Sequence, residues 1–203
     1  MTSPMESPAV PVPPKRVGLR NVIVIALTTI VIVAALLLIK QPWKQAADTG
    51  VTDVPVSLSP GQVAPTIGAL APDFAAAAID GTSVRLSDLR GEPVWLLFGA
   101  TWCTSCRAEA ADVQALSQAY EGRVHVLAVY VQEDQPTVSA YAQRTGLTYP
   151  QVVDPNGGIT SAFAVTATPT HFFLDAGGVI RQMAMGSVDR QSTAELLDWL
   201  LAN

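Results

Sequence analysis

Cys103 and Cys106 are the only cysteines in the 203-residue chain, set three positions apart in Trp102-Cys103-Thr104-Ser105-Cys106-Arg107. Sulfurs at i and i+3 in a first helical turn close a disulfide with little backbone movement. The first cysteine, at the helix start, is expected to be the more exposed one, and Cys106, one turn in, the more buried. As a thiolate, Cys103 attacks a substrate disulfide and forms a mixed disulfide; Cys106 then attacks Cys103 and releases the reduced substrate. Run backwards, the same steps oxidise a dithiol. A purely stabilising disulfide is poorly motivated, because so short a loop has little unfolded-state entropy to lose. Two cysteines cannot make a four-cysteine zinc site, and only His125 and His171 are present as histidines to complete a mixed one.

The flanking sequence says what positions the pair. Val94-Trp95-Leu96-Leu97-Phe98 is an apolar run with the look of a buried strand. Ala108 to Tyr120 is rich in Ala, Leu and Gln with no Gly or Pro, and predicts a helix from about 104 to 120. The cysteines therefore lie where a strand hands over to a helix, where free backbone N–H groups and the helix dipole favour thiolate over thiol.

Around this core the elements alternate. Phe74–Ile79 and Thr82–Leu86 about an Asp80-Gly81 turn read as a hairpin, and Ser87–Gly91 as a helical turn. Val124–Val131 is the next strand, completing a βαβ unit with an expected right-handed crossover. A helix over Thr137–Arg144 stops at Gly146. An extended piece covers Tyr149–Val153, a short helix Ile159–Phe163, and two strands, Thr170–Leu174 and Val179–Met185, flank an Asp175–Gly178 turn. A closing helix over Thr193–Leu201 starts at Ser192 or Thr193. The expected architecture is α/β, with a mixed central sheet flanked by helices.

Upstream, residues 1–20 read as a tail. Residues 21–39 contain 18 uncharged positions from Val22 to Ile39, enough to span a bilayer core of roughly 20 residues, with Trp43 beyond at an interfacial position. The run exceeds the ~7–15 residues of a signal-peptide core, and Lys40-Gln41-Pro42-Trp43 lacks a small-x-small cleavage pattern, so an uncleaved anchor is preferred over a cleaved signal. Residues 40–70, with scattered Pro, Gly, Ser and Thr, read as a linker to a domain over 71–203. Lys15, Arg16 and Arg20 before the span, against Lys40 and Lys44 after it, weakly favour a cytoplasmic N-terminus. Residues 45–203 carry 7 Arg, no Lys and 16 acidic residues. An acidic domain of this kind argues against nucleic acid, and its single cysteine pair suits the extracytoplasmic side of a cell membrane, where a disulfide persists.

A family resemblance rests on several motifs in order: Ala71-Pro72-Asp73-Phe74; Leu86-Ser87-Asp88-Leu89-Arg90-Gly91; Trp102-Cys103-Thr104-Ser105-Cys106-Arg107-Ala108-Glu109; Thr168-Pro169-Thr170-His171-Phe172-Phe173-Leu174-Asp175; and Gly177-Gly178-Val179. Together they resemble the TlpA/ResA-like (DsbE/CcmG-like) thioredoxin-fold proteins over about 71–203. The resemblance implies a thioredoxin-like fold with an N-terminal hairpin extension, and an extracytoplasmic thiol-disulfide oxidoreductase. Many such proteins keep the haem-binding cysteines of apocytochromes reduced. It implies protein substrates with cysteine pairs, a membrane partner that supplies electrons, and no cofactor beyond the Cys103–Cys106 disulfide.

By the same resemblance Cys103 is the attacking and Cys106 the resolving cysteine. Trp102 flanks the site, and Pro169 is the cis proline facing the disulfide, with Thr168 beside the sulfurs. Glu109 is an acid near Cys106 that, if partly buried, suits proton transfer; otherwise it is a solvated helix-face glutamate. The position that holds a buried Asp in thioredoxin is Leu97 here. Two departures stand out. Thr104-Ser105 between the cysteines contains no Pro, which leaves reductant and oxidant readings open. His171 replaces a small polar residue, and is read first as a strand histidine and second as a neighbour of the sulfurs. His125 reads as structural. Met183 and Met185 are expected to pack rather than bind copper. A Sco-like copper chaperone is disfavoured by the two-residue cysteine spacing, and a peroxiredoxin by Ala100, where that family has a Thr three residues before its cysteine.

Overall fold

A computed structural model describes residues 65–203, together with Arg20, Ile23, 26–30 and 32–33. The chain divides into two units, 1–49 and 50–203. In the first, the described residues are helical and Ile23, Leu27, Ile30 and Ile32 are exposed. Among the described residues no helix is long and apolar enough to cross a membrane. Residues 1–19 of the expected tail, most of the expected 21–39 anchor and the expected linker up to residue 64 lie outside the described residues.

The second unit runs β1 (Ala75–Ala77), β2 (Ser83–Arg85), a 3-10 turn (Leu86–Leu89), β3 (Val94–Gly99), α1 (Thr104–Ala119), β4 (His125–Val131), α2 (Gln135–Thr145), β5 (Gln151–Asp154), α3 (Gly158–Ala162), β6 (Thr170–Leu174), β7 (Ile180–Met185) and α4 (Arg190–Ala202). β1 and β2 form the expected antiparallel hairpin. The other strands form one mixed sheet in the order β5-β4-β3-β6-β7, with β3 parallel to β4, β4 parallel to β5, and β6 antiparallel to both β3 and β7. Packing starts slightly before the expected Ala71. The Gly68 N–H donates to the Ile180 carbonyl at 2.8 Å, and Leu70 bridges Val179.

β3 is central, with every residue buried, as a strand covered on both faces requires. Its alternation feeds two cores. Trp95 and Leu97 join Phe173, Val113 and Leu116 of α1 and Leu197 of α4 on one face. Leu96 and Phe98 join Phe172, Phe74, Ile159 and Phe163 on the other, where Phe163 meets Phe172 edge-to-face at 5.0 Å. This two-sided burial fixes the end of β3, and hence the turn into α1.

The closing helix starts three residues before the expected Thr193. Asp189 is its N-cap, accepting from the Ser192 N–H at 2.9 Å and the Ser192 hydroxyl at 2.8 Å. Those two bonds hold the Asp189 carboxyl below its usual range. α2 ends as expected at Gly146, in the left-handed conformation (φ 70°) that glycine adopts without strain. The two methionines of β7 behave differently. Met183 packs against the second core, whereas Met185, on the edge strand, is 68 % exposed and does not pack as expected.

Candidate active site

Cys103 is the N-cap of α1, and its Sγ accepts the Cys106 backbone N–H at 3.2 Å. The two cysteines form a disulfide with Cα atoms 5.3 Å apart. A backbone donor aimed at Cys103 and the positive end of a 16-residue helix both stabilise negative charge on this sulfur once the pair is reduced. Cys103 Sγ also lies 3.6 Å from the Thr168 carbonyl. The oxidised sulfur has no proton to donate, so this is a contact now and a hydrogen bond only for the thiol.

The expected exposure order is reversed. Cys103 is only 6 % exposed and Cys106 is half-buried. The reason is the loop before β6, whose Thr168 carbonyl packs against the first sulfur. The Thr168–Pro169 peptide is cis. Pro169 is buried, Thr168 is half-buried, and the Pro169 carbonyl accepts the Gly186 N–H at 2.8 Å. Trp102 stands out from the surface at 67 % exposure, and Thr104 and Ser105 are exposed beside it.

Glu109 is not on a solvated helix face. It is 5 % exposed, and its Oε2 accepts the Val188 N–H at 3.2 Å. With Cys106, Leu97, Tyr130, Tyr141 and Tyr149 it lines a cavity of ≈ 20 Å³, room for one water-sized sphere. Burial pushes the Tyr130 and Tyr149 phenols well above their usual range and raises that of Tyr141. These three are neutral hydrogen-bonding groups at any ordinary pH.

His171 lies in β6 opposite Leu97 and is fully buried. It reaches Glu109 and Trp95, not a sulfur: Trp95 Nε1–H donates to Nδ1 at 3.3 Å, and Nε2 faces Glu109 Oε1 at 3.4 Å. His125 sits at the far end of β4, half-exposed and 3.3 Å from Glu92. Among the described residues no three His, Cys, Asp or Glu side chains converge as a metal site would require.

Two features were not read from the sequence. One is the tyrosine cluster, three of the chain's four tyrosines gathered from separate elements. The other is Glu133, buried just past β4. It accepts the Thr101 N–H at 2.8 Å and the Thr101 hydroxyl, and so ties down the turn before Cys103. An acid two residues past the end of an apolar strand is the available signal, but its partner is 32 residues away. Glu133→Ala leaves the Thr101 N–H without its acceptor, at a cost of about 1–3 kcal/mol. Thermal unfolding is expected to show Tm lower by roughly 5 °C with the fold retained.

A five-stranded mixed sheet with a cysteine pair opening the helix after its central strand, and a cis-proline loop against the first sulfur, defines a thioredoxin-fold dithiol/disulfide protein. Residues 67–183 match the AhpC/TSA family model, and the chain belongs to that family. It is 33 % identical over 138 residues to the thiol-disulfide oxidoreductase ResA of Geobacillus thermodenitrificans, an alignment covering 68 % of this chain and 79 % of that protein. The ResA of Geobacillus kaustophilus is 35 % identical over the same length and shares. Among solved structures, a putative thiol:disulfide interchange protein DsbE from Chlorobium tepidum superposes with a TM-score of 0.64 at 26 % identity, covering 68 % of this chain and 99 % of that one. The chain is a protein thiol-disulfide oxidoreductase.

Proposed function

We propose that the protein acts as a reductant, tethered to the cell membrane through residues 21–39, with its catalytic domain on the extracytoplasmic side. Cys103 is the attacking and Cys106 the resolving cysteine. The observation that carries the direction is the buried Glu109 carboxyl sharing a cavity with Cys106. A negative neighbour withholds from the thiolate the stabilisation that makes a cysteine pair oxidising, and a pair without that stabilisation gives its electrons away more readily. Among the described residues that line the cavity none is basic.

In the reductive cycle Cys103 attacks one sulfur of the substrate disulfide and the other sulfur leaves as a thiolate. Cys106 then attacks Cys103, forming the internal disulfide and releasing the second substrate sulfur. A membrane partner returns two electrons and two protons to the pair. Exposed Trp102 and the Thr168–Pro169 loop flank the sulfur that meets the substrate. Apocytochrome cysteines are the substrate class implied by the resemblance of the motifs to TlpA/ResA-like proteins. The apolar run at 21–39 and the acidic, lysine-free domain after it support the extracytoplasmic placement.

Two assays on the full-length chain test this. It is expected to accelerate insulin reduction by dithiothreitol, and its reduced cysteines are expected to react with a membrane-impermeant thiol reagent in intact cells. Labelling only after lysis would contradict the placement, and insulin reduction at the uncatalysed rate would contradict the direction.

A further inference from the structure

His171 and Glu109 come from different elements, β6 and α1, and meet in the interior. Glu109 Oε1 and His171 Nε2 are fully buried and, among the described residues, reach no hydrogen-bonding group but each other, at 3.4 Å. The other end of the imidazole is committed. An indole N–H can only donate, so Nδ1, which receives it from the fully buried Trp95, carries no proton. The ring proton of the neutral imidazole is therefore on Nε2, the nitrogen that lies 3.4 Å from Glu109 Oε1. Trp95 is itself held by stacking on Phe173 at 5.7 Å.

We propose that His171 is a positioning residue that, fixed by Trp95 as its Nε2–H tautomer, donates to Glu109 Oε1 and holds the Glu109 carboxylate as the proton acceptor for Cys106. This rests on the reading of Cys106 as the resolving cysteine. In the resolving step the Cys106 thiol passes its proton to the Glu109 carboxylate. The resulting thiolate attacks Cys103; the Cys103–Cys106 bond forms, the Cys103–substrate bond breaks, and the electron pair leaves on the substrate sulfur. The proton stops at Glu109, because His171 has no free lone pair to receive it while Trp95 occupies Nδ1. The other titratable or charged groups around this carboxylate are Tyr130 of β4, Tyr141 of α2 and Tyr149 before β5, with Glu133, Arg107 and Arg144 acting on the tyrosines. The three phenols stay neutral, and His171 Nε2 is the polar group that faces Glu109 Oε1, at 3.4 Å.

Two measurements test this on the full-length protein in detergent. Nitrogen NMR of its two histidines is expected to show one imidazole, His171, as the Nε2–H tautomer. An Nδ1–H tautomer at His171 overturns the proposal. In stopped flow with dithionitrobenzoate, the first thionitrobenzoate release reports attack by Cys103 and the second reports resolution by Cys106. His171→Thr is expected to leave the first release within about twofold. It should move the pH midpoint of the second up by about one unit, slowing it about tenfold on the acid side. His171→Gln, whose amide can both donate to Glu109 and accept from Trp95, is expected to restore the profile, and in a Glu109→Gln background His171→Thr should add nothing. Two clear releases with an unmoved midpoint, or a shift that persists without Glu109, overturn the role of His171 alone. Absence of the second release in the unmodified protein overturns the resolving role of Cys106, and this proposal with it.

Discussion

Cys106→Ser is expected to arrest the protein as a stable mixed disulfide between Cys103 and its substrate, while Cys103→Ser lowers exchange to the uncatalysed background. The asymmetry follows from the start of α1. Cys103 is the N-cap, so its sulfur faces the backbone N–H of Cys106 and the positive end of the helix, and gains most from becoming a thiolate. Cys106 sits one turn in and shares its cavity with a carboxyl group, so it gains least. Without Cys106 the first attack still occurs, but no internal thiol is placed to displace the substrate. Non-reducing electrophoresis after incubation with a disulfide-bonded protein separates the cases. Trapping by Cys103→Ser together with turnover by Cys106→Ser would reverse the assignment. The 6 % exposure of Cys103 in the oxidised pair does not alter it, because the thiolate is selected by the donors at the helix start.

Glu109→Gln is the second large effect, and it acts in opposite directions on two observables. Alkylation of Cys106 is slow and reports equilibrium ionisation. Removing the buried negative charge beside the thiol is expected to move its pH midpoint down by about one unit. Resolution of a mixed disulfide is fast and needs a proton acceptor inside the cavity. A positioned general base contributes about a hundredfold or more, so resolution is expected to slow by that factor despite the easier ionisation. Alkylation followed by mass spectrometry and stopped-flow resolution read the two separately. An unchanged alkylation profile would make Glu109 a structural acid that holds the Val188 N–H.

Much of the site was written locally. The cysteine pair, the apolar run before it and the Gly- and Pro-free stretch after it are contiguous, so strand, helix and their junction followed from periodicity alone. The hairpin and the turn at Gly146 were equally legible, because their turn residues lie beside the runs they bound. The closing helix was misplaced at its start, since Asp189 caps from outside the apolar pattern. The cysteine exposures were reversed because the Thr168 carbonyl, 65 residues away, covers the first sulfur. Glu133 on Thr101 and His171 on Trp95 and Glu109 are likewise long-range pairings. No local pattern marks them, for a buried polar residue is recognisable only when its partner is known. His171 is conspicuous as a departure from the residue that the motif resemblance implies, but which atoms it meets depends on the β3–β6 register that sets it opposite Leu97.

The most direct test of the reducing role is the reduction potential of the Cys103–Cys106 pair, measured by equilibrating the full-length protein with defined thiol/disulfide buffers. A buried carboxyl beside Cys106, with no basic group lining their common cavity, predicts a potential near that of thioredoxin, about −270 mV or more negative. A value close to about −120 mV, that of a strong oxidant, would contradict it.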